Sequence, residues 1–304
     1  MRLTSRLFHS SITRMAVNLV PLPEVERLSP ICIRILGGNP SKFTLQGTNT
    51  YLLGSGSERL LIDTAEGKPS WIAALKRTLA EENATISSTL LTHWHPDHVG
   101  GVGDVLNLAA EPAAKPKVYK NRPDAGQLDI VDGQQFSVEG ATLTAHYTPG
   151  HANDHMVFTV KEEEGAMFTG DNVLGQGTAV FEDLATYLTS LERMSALYSS
   201  SKGRRAYPGH GPAIDDGPAR IREYVSHRQQ REDQIVSTLR ETNELTSTAA
   251  WEPIELVRVI YKDVPESLHL PAQGGVKQVL QKLEREGRAY EESGRWILQD
   301  RPGL

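Results

Sequence analysis

The segment from Leu90 to Gly101, L-L-T-H-W-H-P-D-H-V-G-G, concentrates side chains that bind metal ions. Four of them fall within six positions: His93, His95, Asp97 and His98. The apolar run before them predicts a buried strand that ends at the cluster. His93 and His95 alternate, so their side chains would leave one side of an extended segment. Asp97 and His98 follow a proline, where the chain turns, so they can face a second point in space.

This spacing suits two adjacent metal ions better than one. A run of surface histidines, or histidines held by core hydrogen bonds, is the alternative, but the coincidence of four ligand-type residues argues against it. Cys32 is the only cysteine, so an intrachain disulfide and a thiolate cluster are excluded. A metal site must therefore be built from imidazole and carboxylate groups.

The same arrangement recurs along the chain, with an apolar strand, a tight turn, and then a histidine or an aspartate. It occurs at Asp63, His151, Asp171 and His210. Turns at the edge of a sheet are where α/β-type folds gather ligands and catalytic groups. Together with the first cluster, these positions supply five histidines and two carboxylates, Asp97 and Asp171, enough for two metal sites.

The sequence leaves two interpretations open for each of three features: Asp63, His155 and residues 175–183. Asp63 could accept the far N–H of a ligating histidine and fix its tautomer, or it could be a turn or helix-cap residue. His155 could contact a ligand or the substrate, or do neither. Residues 175–183 predict a loop beside Asp171 that lines the substrate entrance, unless their glycines serve turn geometry alone.

The whole chain has the composition of a soluble globular protein. Its 304 residues, 38% hydrophobic and 23% charged, suffice for one large domain or a domain with an appendage. The net charge of -6 argues mildly against a general nucleic-acid surface. Residues 1–16 are basic and rich in hydroxyls, which is the composition of a mitochondrial transit peptide, and a disordered leader or a start at Met15 is the alternative. Without such a leader the protein is expected in the cytoplasm.

Local patterns also predict the elements that hold these residues. Strands joined by glycine-rich turns indicate an antiparallel sheet at the start, followed by a helix over 70–82 and another over 101–110. Residues 219–240 predict a long polar helix. From Pro253 the order is helix, helix and hairpin, as in a winged-helix unit. We expect this unit to pack against the catalytic domain and shape the cleft rather than to bind DNA.

The motifs H-W-H-P-D-H, T-P-G-H, T-G-D and P-G-H-G resemble those of the metallo-β-lactamase superfamily, over roughly Glu24 to Leu298. The resemblance implies an αββα sandwich over residues 17–218, followed by a helical, winged-helix-like region at 219–304. Within the superfamily the chain looks most like the beta-lactamase-like protein 2 group. That group includes animal mitochondrial endoribonucleases and fungal enzymes that release polyketides from acyl carrier proteins.

The resemblance also implies roles for individual residues. The first metal would be held by His93, His95 and His151. The second would be held by Asp97, His98 and His210, with Asp171 bridging the two and Asp63 in support. Two Zn²⁺ ions are expected, with Mn²⁺ or Fe as alternatives, and a hydroxide between them would be the nucleophile. Asp97 would also orient that nucleophile or relay its proton. Ala65 stands where the family commonly has Gly, which puts the local turn in doubt.

These roles predict a metal-dependent hydrolase more firmly than they predict its substrate. The favoured function is a thioesterase that releases an acyl or polyketide chain, with an acyl carrier protein or polyketide synthase as partner. The alternative is an endoribonuclease acting on single-stranded RNA, and a glyoxalase II-like hydrolase of small thioesters is third. The basic run at 201–205 could contact the carrier protein or RNA phosphates alike. A metal-stabilised binding protein would require a broken ligand set.

Overall fold

A computed structural model describes residues 19–199, 202–243, 246–263, 266 and 269–299, so the predicted leader at 1–16 lies outside the described residues. The first sheet contains seven strands in chain order. They are β1 (Val25–Ser29), β2 (Cys32–Leu36), β3 (Asn49–Leu53), β4 (Glu58–Ile62), β5 (Thr85–Leu91), β6 (Lys117–Lys120) and β7 (Leu128–Asp129). Strands β1 to β4 pair antiparallel, as the glycine-rich turns predicted, and β4 to β7 pair in parallel.

The second sheet contains five strands in the order β12-β11-β10-β9-β8. They are β8 (Gln135–Val138), β9 (Ala141–Tyr147), β10 (Met156–Val160), β11 (Ala166–Gly170) and β12 (Ala206–Pro208). Neighbours from β8 to β11 are antiparallel, whereas β11 and β12 are parallel. A third, small sheet has the order β13-β15-β14. Its strands are β13 (Ala250–Trp251), β14 (Ala289–Glu292) and β15 (Arg295–Leu298).

Seven α-helices connect and cover these sheets within the described ranges. They are α1 (Pro69–Glu81), α2 (Pro96–Val99), α3 (Val102–Leu106), α4 (Leu184–Ser199), α5 (Gly217–Arg240), α6 (Pro253–Ile260) and α7 (His269–Arg285). The helix predicted over 101–110 is shorter than expected, Val102–Leu106, and it contains Gly103, which has a low helix propensity. The C-terminal order of helix, helix and hairpin is as predicted.

Alternating side chains place the strands between two hydrophobic layers. In β4, Leu60 and Ile62 face the core between the two large sheets, while Leu61 faces α1. In β11, Phe168 faces the inner core, while Met167 faces the layer that contains α4 and α5. This period-two alternation is what a strand covered on both faces requires. The result is the four-layer helix–sheet–sheet–helix sandwich expected from the sequence.

The C-terminal region packs on the outer helices of this sandwich. Residues of α6, α7, β14 and β15 share one hydrophobic cluster with α4 and α5. Gln278 Nε2 donates to Glu182 O at 2.9 Å, and Arg285 pairs with Asp183 at 2.6 Å. The domain limits at 17–218 and 219–304 stay predictions. Among the described residues, no helix has the length and apolar character needed to cross a membrane.

We expect Leu75→Ala to lower the free energy of unfolding by about 2–5 kcal/mol, because the substitution leaves a cavity between α1 and the first sheet. Leu75 is fully buried there. Urea denaturation monitored by circular dichroism measures this change. Lys76→Ala, one residue further on the exposed face of α1, is the matched control and should stay within about 0.5 kcal/mol of the parent. Equal midpoints for the two variants would contradict this assignment of the core.

Candidate metal centre

Strands of both sheets end at the edge of the sandwich that carries the predicted ligands. In the first sheet, β5 ends at Leu91, two residues before His93. In the second, β11 and β12 are parallel, so their carboxyl ends bring Asp171 and His210 to the same edge. His151 joins them from the turn between β9 and β10. The structure therefore brings together all seven predicted ligand residues.

Three imidazoles form the first group. His93 Nε2 lies 2.9 Å from His95 Nδ1 and 3.2 Å from His151 Nε2, and the last two nitrogens lie 3.0 Å apart. Nitrogens that each bind one tetrahedral Zn²⁺ ion at about 2.0–2.1 Å would be separated by about 3.3 Å. Burial, aided by nearby imidazoles, lowers the pKa of His93 well below 6.5 and that of His95 to about 4. Both rings are thus neutral near pH 7, the form that binds metal.

The second group combines a carboxylate with two imidazoles. Asp97 Oδ2 lies 3.4 Å from His98 Nε2 and 3.2 Å from His210 Nε2. Pro96 begins the short helix α2, and this turn brings Asp97 and His98 to His210, although His98 also lies close to His93. His98 Nε2 is fully buried and has no hydrogen-bond partner among the described residues. A buried polar atom in that state calls for a missing ligand such as an ion.

Asp171 lies between the two groups. Its Oδ2 is 3.1 Å from His210 Nε2 and 3.6 Å from His151 Nε2, and its Oδ1 is 3.5 Å from His98 Nε2. Oδ1 is buried without a hydrogen-bond partner in the described part of the chain. One carboxylate thus contacts imidazoles of both groups, as a bridging ligand would. The donor set and its spacing fit two divalent ions.

Electrostatics in the second group favour a bound cation. Burial opposes charge on the imidazoles, but the Asp171 carboxylate outweighs it and raises the pKa of His98 above 6.5 and that of His210 to about 9. Burial also opposes ionisation of Asp171, yet His210 and His98 hold its pKa well below 3.8. Protons on the two imidazoles therefore balance the carboxylates when no cation is present. A metal ion that binds here would displace those protons.

Asp63 contacts the second group through His98, at the ring nitrogen that faces away from Asp97 and Asp171. It follows β4, and its Oδ2 accepts a hydrogen bond from His98 Nδ1 at 2.7 Å. Its Oδ1 accepts from the Thr92 N–H at 2.8 Å, which ties it to the start of the histidine cluster. Of the two interpretations of Asp63, the contact with a predicted ligand is the one seen. Ala65 adopts a left-handed φ of 49°, so the turn forms without the glycine that the family commonly has.

His155 contacts the site although sequence reasoning left its role open. Its Nε2 accepts from the Asp171 N–H at 3.1 Å, which requires the neutral tautomer with the proton on Nδ1. That Nδ1 lies 3.3 Å from Thr148 Oγ1. The ring is fully buried, and burial, reinforced by His151, lowers its pKa well below 6.5. His155 thus fixes the backbone from which Asp171 extends.

A buried ion pair that the sequence did not reveal supports the segment that carries His93 and His95. Lys120 and Asp154 are 3% and 1% exposed, and their charged atoms lie 3.0 Å apart. Asp154 also accepts from the Trp94 N–H at 3.3 Å, between His93 and His95. No local pattern signals this pair, since its partners are 34 residues apart.

A cavity of about 1050 Å³ is lined by five of the seven side chains, namely His95, Asp97, His151, Asp171 and His210. Residues 38–45 form one wall, and residues 174 and 176–180 form the other, as predicted for the loop after Asp171. Phe43 and Val180 stand at the mouth and are 65% and 62% exposed. Among the described residues, none after His210 lines the cavity. The winged-helix unit packs against the sandwich as predicted. It contacts α4 and α5 rather than the cavity, so any effect on the shape of the cleft passes through the residues it packs on.

Residues 202–205 of the basic run lie away from this cavity, and Ser201 lies outside the described residues. The Gly203 N–H donates to Glu164 O at 2.8 Å, before β11 begins, and Arg205 precedes β12. Asp171 and His210 lie past the opposite ends of these two parallel strands. Arg204 is also paired with Asp216 at 2.6 Å. The surface predicted from this run is therefore not at the site, because β12 separates it from His210.

Comparison with known proteins places the chain in a family. A profile of the Metallo-beta-lactamase superfamily matches residues 43–210, and one of the Beta-lactamase associated winged helix domain matches residues 253–296. The chain belongs to the metallo-beta-lactamase superfamily, with a C-terminal winged-helix domain, which confirms the predicted fold class.

Two fungal relatives match most of the chain. It is 48% identical over 273 residues to "Lactamase-like protein adaB" of Aspergillus niger, covering 88% of this chain and 84% of that protein. It is 46% identical over 286 residues to "Atrochrysone carboxyl ACP thioesterase" of Aspergillus chevalieri, covering 92% and 91%. Family and relatives together identify the chain as a hydrolase.

Solved structures share the fold at low sequence identity. A beta-lactamase domain protein from Burkholderia ambifaria superposes with a TM-score of 0.76 at 15% identity, covering 93% of this chain and 96% of that one. A metallo-beta-lactamase family protein from Thermus thermophilus superposes with a TM-score of 0.64 at 24% identity, covering 90% and 100%.

We expect Asp63→Asn to weaken metal binding by about 10- to 100-fold, because an amide no longer stabilises the His98 ring as a charged acceptor does. Competition against a chelator, with metal content measured by atomic emission, gives the affinity. Asp215→Asn is the matched control, since the Asp215 side chain is 95% exposed. Wild-type affinity in Asp63→Asn would show that the contact with His98 does not support binding.

Proposed function

We propose that this chain is a thioesterase that releases an acyl or polyketide chain from an acyl carrier protein by means of a two-metal centre. The observation that carries the proposal is the convergence of seven ligand-type side chains, five of which line one large cavity. The name of the relative from Aspergillus chevalieri supports the substrate class. An acyl carrier protein, alone or within a polyketide synthase, is the proposed partner.

The proposed ligands follow the two groups of side chains. His93, His95 and His151 would hold one ion. Asp97, His98 and His210 would hold the other, with Asp171 between them. Zn²⁺ is the favoured metal, because imidazole nitrogens dominate the donor set, and Mn²⁺ or Fe would suit the carboxylates. When bound, such ions supply Lewis acidity and a nucleophile at neutral pH.

The chain's own residues would orient the reactants. Asp97 is ionised, because contacts with His98 and His210 outweigh burial and hold its pKa far below 3.8. A carboxylate with so low a pKa is a weak proton acceptor, so its position favours orientation of water over proton transfer. Thr48 Oγ1 donates to Asp97 Oδ2 at 3.2 Å and fixes that carboxylate.

The cavity walls suit an acyl chain better than RNA. Apolar side chains on both walls line it, among them Phe43, Leu45, Leu174 and Val180. The basic residues that line it in the described part of the chain are Lys42 and Lys68, and Lys68 is paired with Glu66 at 3.4 Å. A phosphate backbone would need more cations than this. The volume of about 1050 Å³ also exceeds what a small glyoxalase substrate requires.

Purified protein should hydrolyse acyl thioesters of an acyl carrier protein, and a chelator should abolish the reaction. Asp171→Asn should lower kcat/KM by about 100-fold or more, because loss of a direct ligand costs more than loss of an outer partner. Thiol release measures the rate, and single-stranded RNA is the competing substrate. Chelator-sensitive RNA cleavage that is lost in Asp97→Ala, with thioesters untouched, would overturn the proposal in favour of the endoribonuclease.

Phe43→Ala should reduce kcat/KM for long acyl thioesters by about 10-fold, because the ring covers apolar substrate at the mouth of the cavity. The effect should fall mainly on KM, since contact away from the reacting atoms is the same in the ground and transition states. Steady-state kinetics with short and long acyl chains test this. Leu128→Ala, at an exposed apolar residue outside the cavity lining, is the control. An equal loss for short and long chains would refute the acyl contact.

A further inference from the structure

Residues 174–181, here called the wall segment, join the cavity to two of the loops that carry proposed ligands. At its start, the Gly175 N–H donates to His210 O at 2.9 Å. Near its end, Val180 O accepts from His151 Nδ1 at 2.8 Å. This second bond leaves Nε2 of the ring to face His93 and His95, so the position of Val180 sets the tautomer and direction of His151.

Helix α5 holds the wall segment from outside. Its residues Arg220, Tyr224 and Arg228 are spaced four apart, so they form one stripe along the helix. Arg220 donates to Gly177 O at 2.7 Å, and Arg228 donates to Ala179 O at 2.7 Å.

Tyr224 closes the bend of the wall segment. Its hydroxyl accepts from the Leu174 N–H at 3.0 Å and donates to Gly177 O at 3.1 Å. The side chain is buried. The hydroxyl thus joins two backbone groups that no strand or helix pairs, and such groups need a partner when buried.

Arg228 fixes the end of the wall segment that contacts His151. Its guanidinium lies 4.7 Å from the centre of the Phe181 ring, directly after Val180. The Ala179 carbonyl that it binds precedes Val180 by one residue. Since Arg228 contacts the Ala179 carbonyl on one side of Val180 and the Phe181 ring on the other, the carbonyl that orients His151 has little freedom.

We propose that the stripe of Arg220, Tyr224 and Arg228 positions His151 and the cavity wall through the wall segment, an inference that rests on the proposed metal centre. These three are positioning residues, because they act on the site through Val180 O and touch no proposed ligand side chain themselves. The stripe gives α5, which follows the matched region at 43–210, an indirect role in the geometry of the site.

Two variants test this inference with Co²⁺ as the probe. Tyr224→Phe removes one hydroxyl at constant shape, and Arg228→Gln replaces the guanidinium that donates to Ala179 and covers Phe181 with a shorter, neutral amide. Arg222→Gln is the matched control, an exposed arginine on another face of α5. Co²⁺ affinity is measured by competition with a chelator, and the visible spectrum of the bound ion reports on the arrangement of its ligands. Unfolding midpoints and steady-state kinetics with an acyl thioester are also measured for both variants and for the control.

We expect both variants to bind Co²⁺ about 5- to 10-fold more weakly and with an altered visible spectrum, while Arg222→Gln matches the parent. Arg228→Lys, which retains a donor, should recover part of the affinity. Parental affinity and spectrum in Tyr224→Phe, with only a lower unfolding midpoint, would reduce the stripe to a structural role and overturn the inference. If the parent itself binds no Co²⁺, the proposed metal centre is wrong, and the inference falls with it.

Discussion

Five imidazoles and two carboxylates lie together at one buried edge of the sandwich. Their mutual interactions require the two sheets to hold them at fixed distances. Bringing ionisable groups out of water costs several kcal/mol each unless partners of opposite charge compensate. Asp171 and His98 are buried together, with the orphaned atoms Oδ1 and Nε2 facing each other at 3.5 Å. Only a rigid frame can hold groups in such an arrangement. The frame consists of two packed sheets, whose strand ends fix the distances across the edge.

Much of this arrangement could be predicted from the sequence because it depends on short-range patterns. The alternation of apolar residues marks the strands, and proline–glycine turns mark where His151 and His210 leave them. The remainder depends on contacts between residues far apart in the chain. Nothing near Asp154 signals its pairing with Lys120, and nothing near His155 signals that its ring receives the Asp171 N–H. Proximity in the sequence was also misleading, because residues 202–205 lie near His210 in the chain but at the other end of β12.

The same frame occurs in proteins that share little sequence with this chain. At 15% identity, the protein from Burkholderia ambifaria retains the fold over 93% of this chain. A frame that tolerates so much change cannot by itself define the substrate. Selectivity must come from the walls of the cavity, residues 38–45 and 174–180, which are loops and can vary without disturbing either sheet.

The two walls of the cavity, residues 38–45 and residues 174–180, are held in place by different contacts. Residues 38–45 are braced largely by their own turns, as in the bond from Thr44 Oγ1 to Asn39 O. Residues 174–180 are instead bonded to α5, which packs in one cluster with the winged-helix unit. Coupling free energies are reciprocal. If packing of α5 improves metal affinity through Val180 and His151, a bound metal must stabilise the packing of α5 by the same amount. The winged-helix unit then influences the centre through packing alone, since none of its described residues lines the cavity.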